Sequence, residues 1–253
     1  MLSSTEATPR LTFDRGTLLL RGVPRSLEDL PGALWDERVG AQRAPAFRYL
    51  EWQQAVRERG LDVQCELMAL PKLAARWADF ELRPYQQAAL EGWGCAAERG
   101  LIVLPTGSGK TRVALAAIAR AAVPTLVIAP TLALLEQWRR QLIAAYAGPI
   151  GQIGDGVRDV EALTVATFES AYRHMATIGH RFGLLIVDEV HHFGSGVRAE
   201  ALEMSIAPKR LGLTATCPTD PLQLERLASL VGPVVYQRSM SELIGSYLAL
   251  CRG

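Results

Sequence analysis

The segment LPTGSGKT at residues 104–111 constrains the fold more than any other part of the sequence. It follows an apolar run at residues 101–104, which predicts a strand, and precedes a helical pattern at residues 111–122. Glycines let the backbone curl so that N–H groups point towards phosphate oxygens, and a helix N-terminus adds the positive end of its dipole. The lysine then reaches the β- and γ-phosphates, and the next hydroxyl binds Mg²⁺. A glycine-rich turn with an incidental lysine is the alternative, but it does not explain the order of strand, loop and helix. The predicted ligands are ATP and Mg²⁺, and the predicted nucleotide contacts are Thr106, Gly107, Ser108, Gly109, Lys110 and Thr111.

A pair of acids follows a second apolar run, at residues 184–187. Acidic side chains at the end of a buried strand are costly unless they have a function. In phosphate-loop NTPases the first acid holds Mg²⁺, so Asp188 and Thr111 are the predicted metal ligands. Glu189 is predicted to orient and deprotonate the attacking water. Together with Lys110, these two acids form the predicted catalytic group.

His191 follows the acids closely and could suggest a second metal site with His192. A single run of this kind, without a further cluster of ligands, is weak evidence for a metal. We therefore interpret His191 as a polar link between the ATP site and neighbouring motifs, and His192 as structural.

Apolar runs and helical patterns alternate from Pro84 onward, which predicts an α/β fold with a parallel sheet covered by helices on both faces. The predicted strands are residues 101–104, 125–129, 163–167, 184–187 and 210–213. The predicted helices are residues 85–99, 111–122, 132–146, 169–178 and 198–205. Ligands of such sheets bind at the carboxyl ends of the strands, which is where the motifs fall.

The N-terminal part has a different pattern, with short apolar stretches separated by turn-forming residues. Two of these stretches flank residues 14–16 and predict a hairpin. A helix is predicted over residues 47–59, ending at Gly60. We predict a small α+β domain at residues 1–75 and a larger domain at residues 76–253, entered through residues 79–83.

Composition excludes several classes of protein. The net charge is +1, so any contact with nucleic acid must come from a local basic patch. The four cysteines are far apart, which argues against a zinc site and a disulfide framework. The sequence starts without a signal-like apolar region, and no apolar run is long enough to cross a bilayer. We expect a cytoplasmic, monomeric protein, and the few lysines among many arginines suggest a prokaryote with a GC-rich genome.

Further motifs occur in a fixed order around the phosphate loop. Arg83-Pro84-Tyr85-Gln86 precedes the loop, Pro130-Thr131 and the segment from Thr167 to Ser170 end two later strands, and Thr214-Ala215-Thr216 follows the acids. Each alone could be helix capping. In this order, and with leucine at position 104 where the general phosphate-loop pattern has glycine, they resemble superfamily 2 helicases, with a RecA-like motor domain.

This resemblance implies a role for each motif. Arg83 and Gln86 would bind the nucleotide, with Gln86 reading adenine. His191, Thr214 and Thr216 would couple hydrolysis to movement along the nucleic acid. Contacts to a nucleic-acid backbone, without base readout, would come from Pro130, Thr131, Thr167 and Ser170.

Residues 104–111, 130–138 and 204–216 are similar to the XPB-type DNA repair helicases in particular. Residues 35–49 are similar to the damage-recognition domain of that family, which itself resembles a mismatch-recognition domain. The resemblance implies an ATP-dependent DNA helicase or translocase of repair. Its partners would be duplex, forked or damaged DNA and a repair nuclease or a transcription and repair factor.

The N-terminal module also interleaves aromatic and basic residues. Arg38, Arg43 and Arg48 lie among aromatic side chains, and such sets engage unstacked bases and phosphates. The alternative is that a module this small needs the aromatics for its own core, which we expect for at least half of them. The four aromatics are Trp35, Phe47, Tyr49 and Trp52.

Two features depart from the family pattern. Residues 217–220 read Cys-Pro-Thr-Asp where the family has an Arg-Glu-Asp tripeptide linked to duplex opening. The second departure is that the sequence ends at Gly253, just after residues 230–236 and 241–250, which resemble the linker to a second motor domain. In this family that second domain supplies an arginine finger. We therefore expect residues 1–253 alone to bind nucleotide and to hydrolyse it poorly.

Two other functions remain open from the sequence. A translocation subunit of a restriction or remodelling machine would share the motor motifs, although nuclease and methylase signatures are missing here. A module that binds damaged DNA or senses nucleotide without useful turnover would also fit.

Overall fold

The computed structural model describes residues 8–27, 30–67, 71–73, 75–79, 81–194 and 197–243. They contain two β-sheets, one of five strands and one of eight. No helix in these residues is long and apolar enough to cross a membrane.

The smaller sheet forms an α+β module with a single long helix. Its spatial order is β3-β4-β2-β1-β5, and the helix α1 (Tyr49–Glu58) follows a short 3-10 turn. The predicted hairpin is confirmed: β1 and β2 are antiparallel, and Arg15 and Gly16 turn the chain with φ of 48° and 84°. The strands are β1 (Arg10–Asp14), β2 (Thr17–Arg21), β3 (Leu34–Asp36), β4 (Ala41–Pro45) and β5 (Gln64–Cys65).

The larger sheet is parallel apart from its last strand, in the order β13-β6-β12-β11-β7-β10-β8-β9, and helices cover both faces. This confirms the predicted fold class. The strands are β6 (Arg99–Val103), β7 (Thr125–Ala129), β8 (Gly151–Gly154), β9 (Val157–Asp159), β10 (Leu163–Thr167), β11 (Leu184–Val187), β12 (Lys209–Thr214) and β13 (Val234–Gln237). The helices are α2 (Pro84–Cys95), α3 (Lys110–Ala121), α4 (Leu132–Ala145), α5 (Phe168–Ile178), α6 (Glu200–Glu203) and α7 (Pro221–Leu230).

Two predicted helices are shorter in the structure. The helix predicted over residues 85–99 ends at Cys95, because Ala97 and Glu98 adopt left-handed φ values of 54° and 59° and lead directly into β6. The helix predicted over residues 198–205 is reduced to a 3-10 turn followed by α6.

The segment compared with an interdomain linker is partly built into the sheet. Leu230 ends α7, and β13 pairs in parallel with β6 at the edge of the sheet. Residues 234–236 therefore contribute to the sheet of the larger domain, and the linker stays a prediction. Residues 244–250 lie outside the described part of the chain.

The two sheets are joined by packing at one end of the motor domain. The rings of Phe13 and His180 lie 4.8 Å apart, and Ile206 is buried in the core of the smaller module. Phe47 of that module packs in return against the core of the larger domain. Leu73 already belongs to the larger core, whereas the boundary at residue 75 stays a prediction.

Candidate active site

The phosphate loop joins β6 to α3 and has the backbone that the glycines predict. Gly107 and Gly109 have φ values of 80° and 82°, which strain any residue with a side chain. A Cβ on Gly107 would meet only open space, whereas one on Gly109 would lie 2.5 Å from Nε2 of Gln86. The loop therefore leaves an open cradle at Gly107 and is packed closely at Gly109.

The side chains at the end of the loop face the same cavity. Lys110 Nζ lies over the loop and donates a hydrogen bond to the carbonyl of Leu104 at 3.0 Å. The cavity has a volume of about 620 Å³, which suits a nucleotide. Its lining includes the predicted site residues Arg83, Gln86, Thr106, Gly107, Ser108, Gly109, Lys110, Thr111, Asp188 and Glu189.

Asp188 is held in place by two donors. It is 9% exposed; its Oδ2 accepts a hydrogen bond from the indole of Trp138 at 2.8 Å, and its Oδ1 accepts one from the backbone N–H of Glu189 at 3.0 Å. Burial raises the pKa of Asp188, and the Trp138 hydrogen bond opposes that shift. Glu189 has a left-handed φ of 46°, so the backbone turns sharply between the two acids.

Trp138 is a site residue that the sequence reasoning missed. It lies on α4, fifty residues before the acid that it contacts, and is 2% exposed. A buried tryptophan usually donates its N–H to an acceptor, so Trp138 could have been expected to form a hydrogen bond. The sequence does not reveal that the acceptor is Asp188.

Gln86 is buried and fixes the beginning of α2 to the phosphate loop. Its Oε1 accepts a hydrogen bond from the backbone N–H of Arg83 at 2.9 Å, and its Nε2 donates one to the carbonyl of Ser108 at 2.8 Å. Tyr85 donates a second hydrogen bond to that carbonyl at 2.7 Å. These contacts position the loop, whereas adenine recognition by Gln86 stays a prediction.

A polar chain leads from the acids to the end of β12. His191 Nδ1 lies 3.5 Å from a carboxylate oxygen of Glu189 and 2.9 Å from the hydroxyl of Thr214. The Thr214 hydroxyl in turn donates to the carbonyl of Thr216 at 2.8 Å. The three predicted coupling residues are therefore connected by hydrogen bonds, from His191 to Thr214 and from Thr214 to Thr216.

The predicted DNA-facing residues lie at the carboxyl ends of two neighbouring strands. Pro130 and Thr131 follow β7, and Thr131 caps α4 by accepting a hydrogen bond from Leu134. Thr167 caps α5 by accepting one from Ser170 and is only 7% exposed. Capping thus accounts for both threonines locally, and the DNA contacts stay predictions.

The N-terminal arginines are paired with acids. Arg38 and Arg43 both bond the carboxylate of Asp36, and these hydrogen bonds, that of Arg38 first, lower the pKa of Asp36 to about 2. Arg43 also contacts Asp14, and Arg48 pairs with Glu51. The side chain of Arg38 is 84% exposed, against 24% for Arg43 and 32% for Arg48. Arg38 is therefore the most accessible of the three.

The aromatics of the module divide between its interior and its surface. Trp52 is completely buried and donates from its indole to the carbonyl of Pro31 at 3.0 Å. Phe47 packs against the larger domain. Trp35 and Tyr49 are half-buried, and Trp35 lines an open pocket of about 470 Å³ beside Arg38.

Comparison with known proteins assigns both parts of the chain. Residues 79–219 match the family described as Type III restriction enzyme, res subunit. Residues 11–64 match the family described as Xeroderma pigmentosum group B helicase damage recognition domain. The chain belongs to the XPB-type superfamily 2 helicases. The match of the N-terminal module is what distinguishes an XPB-type chain from a restriction subunit.

Individual relatives agree with this assignment. The chain is 37% identical over 219 residues to the DNA 3'-5' translocase XPB2 of Sulfurisphaera tokodaii, covering 87% of this chain and 50% of that protein. It is 31% identical over 175 residues to the DNA 3'-5' helicase XPB of Mycobacterium tuberculosis, covering 65% and 32%. The chain thus spans about half or less of the length of these two relatives.

A solved structure supports the fold. The Hef helicase domain of Pyrococcus furiosus superposes with a TM-score of 0.53 at 21% identity, covering 65% of this chain and 39% of that one. This likeness shows the motor fold alone.

Proposed function

We propose that the chain is the ATP-binding half of an ATP-dependent DNA helicase or translocase that acts in repair. The observation that carries the proposal is the single cavity lined by both the phosphate loop and the pair Asp188 and Glu189. The names of the two curated relatives specify 3'-5' movement, and we propose the same polarity here. Residues 1–75 would serve DNA recognition and residues 76–253 the motor.

The donor set of the cavity fits Mg²⁺, because a hydroxyl from Thr111 and a carboxylate from Asp188 are the hard oxygen ligands that this ion prefers. When bound, Mg²⁺ would neutralise charge on the phosphates. Lys110 would contact the β- and γ-phosphates, and Glu189 would orient and deprotonate the attacking water. Arg83, Gln86 and the open cradle at Gly107 would hold the nucleotide.

Coupling and DNA contact would involve the other motifs. The contacts from Glu189 through His191 to Thr214 and Thr216 would transmit the state of the nucleotide to the end of β12. The strand ends at Pro130, Thr131, Thr167 and Ser170 would follow a DNA backbone. We propose duplex, forked or damaged DNA as the substrate, and a repair nuclease or a transcription and repair factor as a protein partner.

A translocation subunit of a restriction system is the second candidate, because residues 79–219 match that family description. The match of residues 11–64 to a damage recognition domain favours the repair function.

We expect residues 1–253 alone to turn ATP over at no more than about a thousandth of the rate of a chain that includes a second motor domain. The two arginines lining the described cavity are both engaged within the chain, Arg112 with the carbonyl of Glu81 and Arg83 with the hydroxyl of Tyr85. Phosphate release measured with and without forked DNA tests this expectation. Strong DNA-stimulated turnover by residues 1–253 would show that the site needs no partner domain.

We expect Arg38→Ala to weaken binding of forked DNA and to reduce the salt dependence of that binding by about one unit of log K per log salt, as for loss of one phosphate contact. Arg38 is chosen for this substitution because its side chain is highly exposed. Arg43 is less suitable because it bridges Asp14 and Asp36, so its removal would also disturb the module. Fluorescence anisotropy over a salt series measures the slope. Arg226→Ala, on α7 and paired with Glu203, is the control. An unchanged slope would show that Arg38 makes no phosphate contact.

A further inference from the structure

Trp138 connects helix α4 to the acid pair that follows β11. It lies on α4, and its indole N–H reaches across to Oδ2 of Asp188 at 2.8 Å. Both partners are almost completely enclosed, at 2% and 9% exposure. A hydrogen bond to an ionised acceptor in such an environment is short and strongly orienting.

The two donors to Asp188 come from different elements. Glu189 N–H bonds Oδ1 from within the same turn, so it follows Asp188 wherever the chain places it. Trp138 bonds Oδ2 from α4, and in the described structure it is the side-chain hydrogen bond that holds this carboxylate. The plane of the carboxylate therefore depends on where α4 lies.

Helix α4 begins at the strand end that we propose to face DNA. Thr131 caps the helix, and Trp138 follows seven residues later, which places it about 10 Å further along the axis. Leu135 and Leu142 of α4 are fully buried in the core between the helix and the sheet. Leu134, Gln137 and Gln141 of the same helix line the nucleotide cavity.

We propose that Trp138 is a positioning residue that fixes the carboxylate of Asp188 and couples it to helix α4, so that DNA bound at the beginning of α4 changes the affinity for Mg²⁺-nucleotide. This inference rests on the proposed function, because it takes Asp188 as the Mg²⁺ ligand. Partners that orient a metal ligand commonly change metal affinity by about 10–100-fold when removed. A coupling between two ligands must also act in both directions.

The chain provides a matched control. Trp93 on α2 is also fully buried and also donates from its indole, at 2.9 Å, but its acceptor is the backbone carbonyl of Arg210. Trp93→Phe removes the same N–H from the same kind of environment without touching Asp188. A difference between the two variants therefore reports on the site rather than on the loss of a tryptophan.

The experiment measures binding of a fluorescent, non-hydrolysable ATP analogue by anisotropy, first in EDTA and then over a Mg²⁺ series, with and without an oligothymidylate. For Trp138→Phe we expect unchanged affinity in EDTA, which also shows that the cavity is folded. We expect its Mg²⁺ midpoint to rise about tenfold, and the shift that the oligonucleotide causes in the wild type to disappear. Trp93→Phe should match the wild type in all three measurements.

The possible results distinguish failure of the proposed function from failure of the role of Trp138. If the wild type binds no analogue, the proposed function and this inference both fail. If it binds, but Trp138→Phe keeps the wild-type Mg²⁺ midpoint, only the positioning role is overturned. If the midpoint rises while the oligonucleotide shift persists, the coupling to α4 is overturned.

A second measurement does not depend on the folding of Trp138→Phe. In Trp93→Phe, which retains Trp138, addition of Mg²⁺ to the complex with a non-fluorescent ATP analogue should change the indole emission. An emission spectrum that does not change when Mg²⁺ is added would contradict the proposal that Trp138 orients the metal ligand Asp188.

Discussion

Lys110→Ala is expected to lower the affinity for Mg²⁺-ATP by about 100-fold, because a hydrogen bond to a charged group contributes up to about 3 kcal/mol. Lys110 is the one lysine that lines the described cavity, and its ammonium donates a hydrogen bond to the carbonyl of Leu104. Removing it takes away the positive charge that would meet the β- and γ-phosphates. Isothermal titration with ATP measures the loss.

Lys72→Ala is the control for this variant, since Lys72 is exposed and does not line the cavity. Lys209 is unsuitable because it forms an ion pair with Glu98. If Lys110→Ala retained the wild-type affinity, the assignment of the phosphate loop would be wrong.

Arg210→Ala is expected to destabilise the protein by about 3 kcal/mol or more, the largest effect on folding that we predict. Arg210 is fully buried on β12, and burial lowers the pKa of its guanidinium well below the usual value. Its guanidinium donates to backbone carbonyls and so joins the end of α7 to the loop before β12. The acceptors are Leu202, Ser205, Ala207 and Leu230, at 2.6–3.0 Å.

Alanine would leave these carbonyls buried without a donor and would open a cavity beside them. Urea unfolding followed by circular dichroism gives the free energy of unfolding. Arg226→Ala serves as the comparison, because its pair with Glu203 is partly exposed and should contribute less than about 1 kcal/mol. Equal midpoints for the two variants would contradict the structural role of Arg210.

The central strands could be predicted from the sequence because their local signals agree with their environment. Strands β7, β10 and β11 begin and end at the predicted residues. Each is mostly apolar, is buried along its whole length and is followed directly by a polar motif. The phosphate loop was predictable for a similar reason, since its glycines are required by the local backbone.

Features that depend on distant contacts could not be predicted. The chain offers no local sign that Trp138 contacts Asp188, or that the guanidinium of Arg210 is buried among backbone carbonyls. The edge strands β9 and β13 and the neighbouring strand β8 are short, and β9 and β13 are partly exposed, so their hydrophobic patterns are weak. The structure also gives a local role to Asp220, the last residue of the segment 217–220, because its side chain caps α7.

The most direct test of the account is a titration of residues 1–253 with ATP, in Mg²⁺ and in EDTA. We expect one nucleotide per chain, bound more tightly in Mg²⁺, because Thr111 and Asp188 line the same cavity as the phosphate loop. Absence of binding, or an affinity that Mg²⁺ does not change, would contradict the claim that these residues form one Mg²⁺-ATP site.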